Sequence, residues 1–158
     1  MNTYSKIAGA LIVAAGLHLA PPAIAGDVNG HYVTGASVGF DDAVTDLESA
    51  IVNRGLVVDY TGQIGNMLDR TGKDTDSETP YGQAIYMQFC SAKFTHEAVA
   101  KDPKNIAVCP FVVFAYTLKD KPDEVMVGYR DPHGSAGSED ATDGIRGLLR
   151  EIVDEVAQ

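Results

Sequence analysis

"QAIYMQFCSAKFTHEAVAKDPKNIAVCPFVVFAYTL", residues 83–118, decides the fold. It opens on an alternating run, with Ile85, Met87 and Phe89 on one face and Tyr86, Gln88 and Cys90 on the other. That period of two is the pattern of a strand. It closes on "IAVCPFVVFAYTL" (106–118), almost continuously apolar, as a central strand buried on both faces is. Pro110 has no N–H for a ladder, so pairing in that strand starts late or on one side. Between the two strands, Thr95 is placed to cap a short helix over "HEAVAK" (96–101), which "DPKN" ends. A strand, a helical excursion and a second strand return the chain to one end of an antiparallel sheet. Cys90 and Cys109 are therefore expected close together.

Upstream, "HYVTGASVGF" (31–40) reads as a first strand. The period then changes: Phe40, Val44, Leu47 and Ile51 make a helical stripe over 41–55, with Asp42, Asp46 and Glu48 facing out. Asp41 is the expected N-cap, and Gly55 the stop after Arg54. "LVVDYTGQIG" (56–65) returns to strand chemistry. "NMLDRTGKDTDSETPYG" (66–82), with Gly72, Asp74, Asp76, Ser77 and Pro80, reads as a loop. Downstream, "KDKPDE" (119–124) turns the chain into the strand "VMVGYR" (125–130), and 131–144 reads as a connector. The last segment, 144–158, gathers Ile145, Leu148, Leu149, Ile152, Val153 and Val156 on one helical face. The order predicts an α+β domain of two layers, an antiparallel sheet carrying two long helices on one face.

The first residues carry an address. Lys6, the apolar run Ile7–Ala20 and the small residues Ala23 and Ala25 follow the plan of a secretory signal, with cleavage expected before Gly26. The run is shorter than the roughly 20 residues a membrane span needs. Residues 1–25 are thus read as signal peptide and 26–158 as one domain, periplasmic or secreted, with no membrane attachment after cleavage. Loss of Lys6 takes the formal charge from −10 to −11. Such an acidic chain is not expected to bind nucleic acid, which calls for concentrated Lys and Arg.

Three segments, "VVDYTGQIG" (57–65), the stretch from Met87 to Leu118, and "VMVGYRDP" (125–132), carry a resemblance. A cysteine ends one strand, a "DP" turn follows the short helix, Cys109-Pro110 heads the next strand, and a closing strand ends in "DP". In these features the chain resembles the family called domain of unknown function 302, over most of residues 30–158. The resemblance implies a TATA-binding-protein-like β-α-β(4)-α arrangement and no particular activity.

The candidate chemistry centres on the only two cysteines. In an exported protein, Cys90 and Cys109 suit a disulfide, and closing such a loop contributes about 3 kcal/mol. The sharper reading adds His96, with Met87 or Met126 as a thioether, a set that would suit copper or haem iron. A cycling redox pair beside a helix N-terminus is the third reading. Tyr60, Tyr86, Tyr116 and Tyr129, on or beside strands, could line a ligand groove or fill the core. No phosphate-cradling glycine loop and no H-E-x-x-H occurs, and Ser91, His96 and Asp102 lie too close in sequence to converge as a triad. The favoured reading is an exported, non-enzymatic binding module for a metal, haem or small molecule near Cys90, His96 and Cys109. The alternative is a thiol-disulfide or sulfur-metabolism accessory protein. A small ligand, a protein partner or a second copy of the chain stay open as partners.

Overall fold

The computed structural model describes residues 26–28 and 30–158, with side chains from Gly30 onward, and the expected signal peptide lies outside the described residues. The elements run β1 (Gly26–Val28), β2 (His31–Ala36), α1 (Phe40–Asn53), β3 (Val58–Gly62), α2 (Ile64–Thr75) and β4 (Tyr81–Phe89). There follow α3 (Ala92–Lys101), a 3-10 turn (Pro103–Val108), β5 (Phe111–Leu118), β6 (Lys121–Arg130) and α4 (Glu139–Val156). The strands form one antiparallel sheet in the order β1-β2-β6-β5-β4-β3. With α2 and α3 taken as excursions, β2 to α4 keep the expected β-α-β(4)-α order.

One sheet face is the core. Leu47 and Ile51 of α1 and Ile145, Leu149, Ile152 and Val153 of α4 meet Met87, Phe89, Val113, Val127 and Tyr129 of the central strands. Burial of each such side chain contributes about 1.5–3 kcal/mol, which holds the two long helices to the sheet. The α3 helix packs on α4, where Gly144 admits the Phe94 ring: a Cβ there would stand 2.7 Å from it.

Several expectations need correction. The first part of the stretch read as a loop, 66–75, belongs to α2, because Ile64, Leu68 and Thr71 turn inward at helical spacing, while 76–80 connects α2 to β4. Gly65, read at the end of a strand-like stretch, lies in the first turn of α2, where a Cβ on it would come 2.9 Å from the Ala84 backbone nitrogen. It lets α2 lie against β4. The α1 N-cap is Gly39, and Asp41 sits in the first turn, where its charge suits the helix dipole. The α3 helix starts at Ala92, so Thr95 lies a turn inside, its N–H bonded to the Ser91 carbonyl. Residues 106–108 belong to the 3-10 turn, and β5 begins at Phe111, just past Pro110. β6 begins at Lys121 and α4 at Glu139, both earlier than read, since charged first turns hide an element's start.

The excursion between β4 and β5 is tied down by Asn105, which is 2% exposed. Its Nδ2 donates to the Ala98 carbonyl at 2.8 Å and to Ser138 Oγ at 2.7 Å, while its Oδ1 accepts from the Ser135 N–H at 2.8 Å. Asn105→Ala breaks all three bonds at a buried position. It is expected to lower stability by about 2 kcal/mol, read by urea denaturation. A loss under about 0.5 kcal/mol would mean that these bonds do not hold the excursion.

Candidate functional site

Cys90 follows the last residue of β4 and Cys109 precedes β5, and the register Phe89↔Phe111 brings the two strand ends level. The cysteines form a disulfide with Cα atoms 5.7 Å apart, well inside the range a bridge spans. Both are half-buried. His96 is exposed on α3, and Met87 points into the core on the helix-covered side. Among the described residues no group of three or more His, Cys, Asp or Glu side chains is placed to hold a metal ion. Ligation of copper or haem by Cys90 and Cys109 would first require the disulfide to open.

The four tyrosines divide by strand parity. Tyr129 shares its face with Val125 and Val127 and lies in the core beside Tyr32, ring centroids 5.3 Å apart. Tyr60, Tyr86 and Tyr116 take the opposite face, which none of α1, α3 or α4 covers. The ladder pairs Tyr60 with Gln88 and Tyr86 with Phe114 there. That open face holds a groove of about 680 Å³, walled by Val112, Phe114, Tyr116 and Leu118 of β5, Ala84 and Tyr86 of β4, Val33 of β2 and Ile64 of α2.

Glycines shape it. Tyr86 and Phe114 are cross-strand neighbours, yet the Tyr86 ring lies over Gly62 of β3 and the Phe114 ring over Gly128 of β6. The two rings lean apart, outward over the flanking strands, and the groove opens between them. Tyr116 then stacks on Phe114 at 6.3 Å and meets Tyr81 edge-on at 5.5 Å. Burial, and secondarily the Tyr81 phenol, push the Tyr116 hydroxyl above its ordinary pKa. It therefore stays a neutral donor at physiological pH.

The groove's polar groups gather at the end nearer the disulfide. His31 pairs with Arg130, and Gln88 with Val112, in the same cross-sheet row. Arg130 Nη2 donates to the carbonyl of Pro110 at 2.9 Å, so the residue beside Cys109 orients the exposed guanidinium. Arg54, Arg146 and Arg150 each pair with a carboxylate, whereas Arg130 meets none among the described residues.

One motif escaped the sequence reading. Gly35-Ala36-Ser37-Val38-Gly39 fits G-x-S-x-G at a strand-to-helix turn, the setting of a nucleophile elbow. Ser37 is exposed, has no positive φ, and its hydroxyl bonds to no imidazole among the described residues. Without a base the serine is an ordinary hydroxyl.

A helix layer on one face of an antiparallel sheet, an open aromatic groove on the other and a disulfide at the sheet's end define a two-layer α+β domain. Residues 32–157 match the family model described as Domain of unknown function DUF302, and the chain belongs to that family. The crystal structure of an uncharacterized conserved DUF302 protein from Bacillus stearothermophilus is similar over 82% of this chain and 99% of that one. The TM-score is 0.67 and the identity 12%, a likeness of fold alone. No curated protein matches.

Proposed function

We propose that the protein is an exported, non-enzymatic binding module that takes a small ligand on the open face of its sheet. The observation that carries this reading is the groove between Tyr86 and Phe114. Its volume of about 680 Å³ falls in the usual range for small-molecule sites. Apolar walls with a few convergent polar groups are the usual composition of such a site. Export is supported by the signal-like residues 1–25 and by a disulfide, which persists in oxidising compartments.

Native mass spectrometry of the exported protein reads both halves of this proposal. The polypeptide is expected to begin at Gly26 and to carry a non-covalent adduct that the Phe114→Asp variant lacks. A chain retaining Met1 would count against export. An adduct that survives Phe114→Asp, or none together with no hit from a small-molecule thermal-shift library, would count against the groove.

A second reading, a thiol-disulfide or sulfur-handling accessory, is favoured by one observation: Cys90 lies directly before Ser91, the N-cap of α3. A helix N-terminus stabilises a thiolate and so eases exchange. Its test is the response of the bond to mild reductant, argued at the end of the Discussion.

A further inference from the structure

The geometry points to an amphipathic carboxylate as the ligand, its apolar or aromatic body laid along β5 and its carboxylate held at the Arg130/His31 end. This deepens the binding-module reading and rests on it.

The open face is ordered in rows. Tyr86, Phe114, Gly128 and Val33 cross the sheet in register, and Ala84, Tyr116, Met126 and Gly35 make the next row. Both are apolar or aromatic. The row before them is different: continuing the β5–β6 register one step past Val113↔Tyr129 brings Gln88, Val112, Arg130 and His31 together. From Val112 to Leu118 a strand covers about 20 Å, so the polar end and the aromatic end are well separated. A ligand filling the groove meets the guanidinium at one end and only phenols, those of Tyr81 and Tyr116, at the other.

Charge sets the sign of that end. The chain has 22 Asp and Glu against 12 Lys and Arg. Among the described residues lining the groove there is no carboxylate, and Arg130 is the lining guanidinium. In so acidic a protein, an acid-free groove with a guanidinium at one end suits an anion and repels a cation. The Pro110 carbonyl holds one Arg130 nitrogen and leaves the rest of the fork for a carboxylate, which it matches in shape. Gln88 adds a neutral amide to the same row.

A second copy of the chain is a poorer occupant. Two grooves meeting about a two-fold axis present identical surfaces, so each Arg130 would face a wall that has no carboxylate.

The probe pair is decanoate and 1-decanol, alike in chain length and different in head charge, titrated calorimetrically into the purified chain. Decanoate is expected to bind about ten-fold or more tightly than decanol, as one charge-assisted pair provides. Arg130→Gln should abolish that preference, Arg130→Lys should keep part of it, and Lys121→Gln, outside the groove, should leave it intact. Equal binding of both probes by the wild type, or a preference that survives in Arg130→Gln, overturns the carboxylate assignment while the groove stands. Failure of both probes to bind, or binding indifferent to Phe114→Asp, overturns the groove and this proposal together. A dimer that does not bind decanoate and that Phe114→Asp dissociates in sedimentation would give the face to a second copy and overturn both as well.

Discussion

Leu149→Ala is expected to lower the free energy of unfolding by about 3–5 kcal/mol. Leu149 is fully buried at the middle of that helix, between Ile145 and Ile152 along the stripe that faces the sheet. Truncation removes the transfer energy of the side chain and leaves a cavity. The neighbours that would have to close it, Val153 and Ile152 among them, are themselves fixed by packing on the sheet. Domains of this size are stable by only about 5–15 kcal/mol, so the variant should stand near its unfolding threshold. Glu151→Ala, two residues on and exposed, is the control, with an expected change within about 0.5 kcal/mol. Urea denaturation separates the two. A Leu149→Ala loss below about 1 kcal/mol would mean that α4 is not anchored through this stripe.

The same stripe shows what a sequence makes legible. Six apolar residues at helical spacing leave α4 no alternative but to pack, and period-two alternation in β4 assigned Met87 and Phe89 to one face correctly. The strand-helix-strand argument brought the two cysteines together for the same reason: it used short-range geometry only. The glycines account for part of what is misread. Gly72 reads as a loop residue and Gly65 as the end of a strand-like stretch, and Gly144 stands at the edge of a connector. In the fold, Gly65 and Gly144 are points of close approach to Ala84 and Phe94. A lone sequence cannot distinguish a glycine that bends the chain from one that makes room for a neighbour.

The groove was legible in part. Tyr60, Tyr86 and Tyr116 share the open face, while Tyr129 follows the parity of Val125 and Val127 into the core. The continuous apolarity of β5 was the clearer signal. It asked for cover on both faces, whereas the two long helices supply it on one. Val112, Phe114 and Tyr116 remain on the side where no long helix lies, and that mismatch marks the groove. Arg130 and His31 carried no motif. Only the register of β2 on β6 puts them side by side at the groove's end.

Removal of the disulfide is the second large effect. The double variant Cys90→Ser/Cys109→Ser frees a loop of sequence separation 19 and is expected to lower stability by about 3 kcal/mol, by relaxing a constraint on the unfolded chain. The native contacts around it persist. Asn105 keeps its three bonds, and the Phe89↔Phe111 pair keeps the strand ends level, so the variant should fold at neutral pH with a lower urea midpoint. Any local loosening should appear at Pro110, whose carbonyl holds Arg130. Decanoate affinity should then fall modestly and decanol affinity hardly at all. The wild-type bond also separates the staple from the redox reading. Half-buried sulfurs, in a bond that stabilises the fold, should resist millimolar glutathione, because reduction forfeits the same 3 kcal/mol or so of folding energy. Rapid, complete reduction without loss of stability would reverse that conclusion. Cys90 and Cys109 would then be a working dithiol at the head of α3, and the groove's neighbouring Arg130 end would be under redox control.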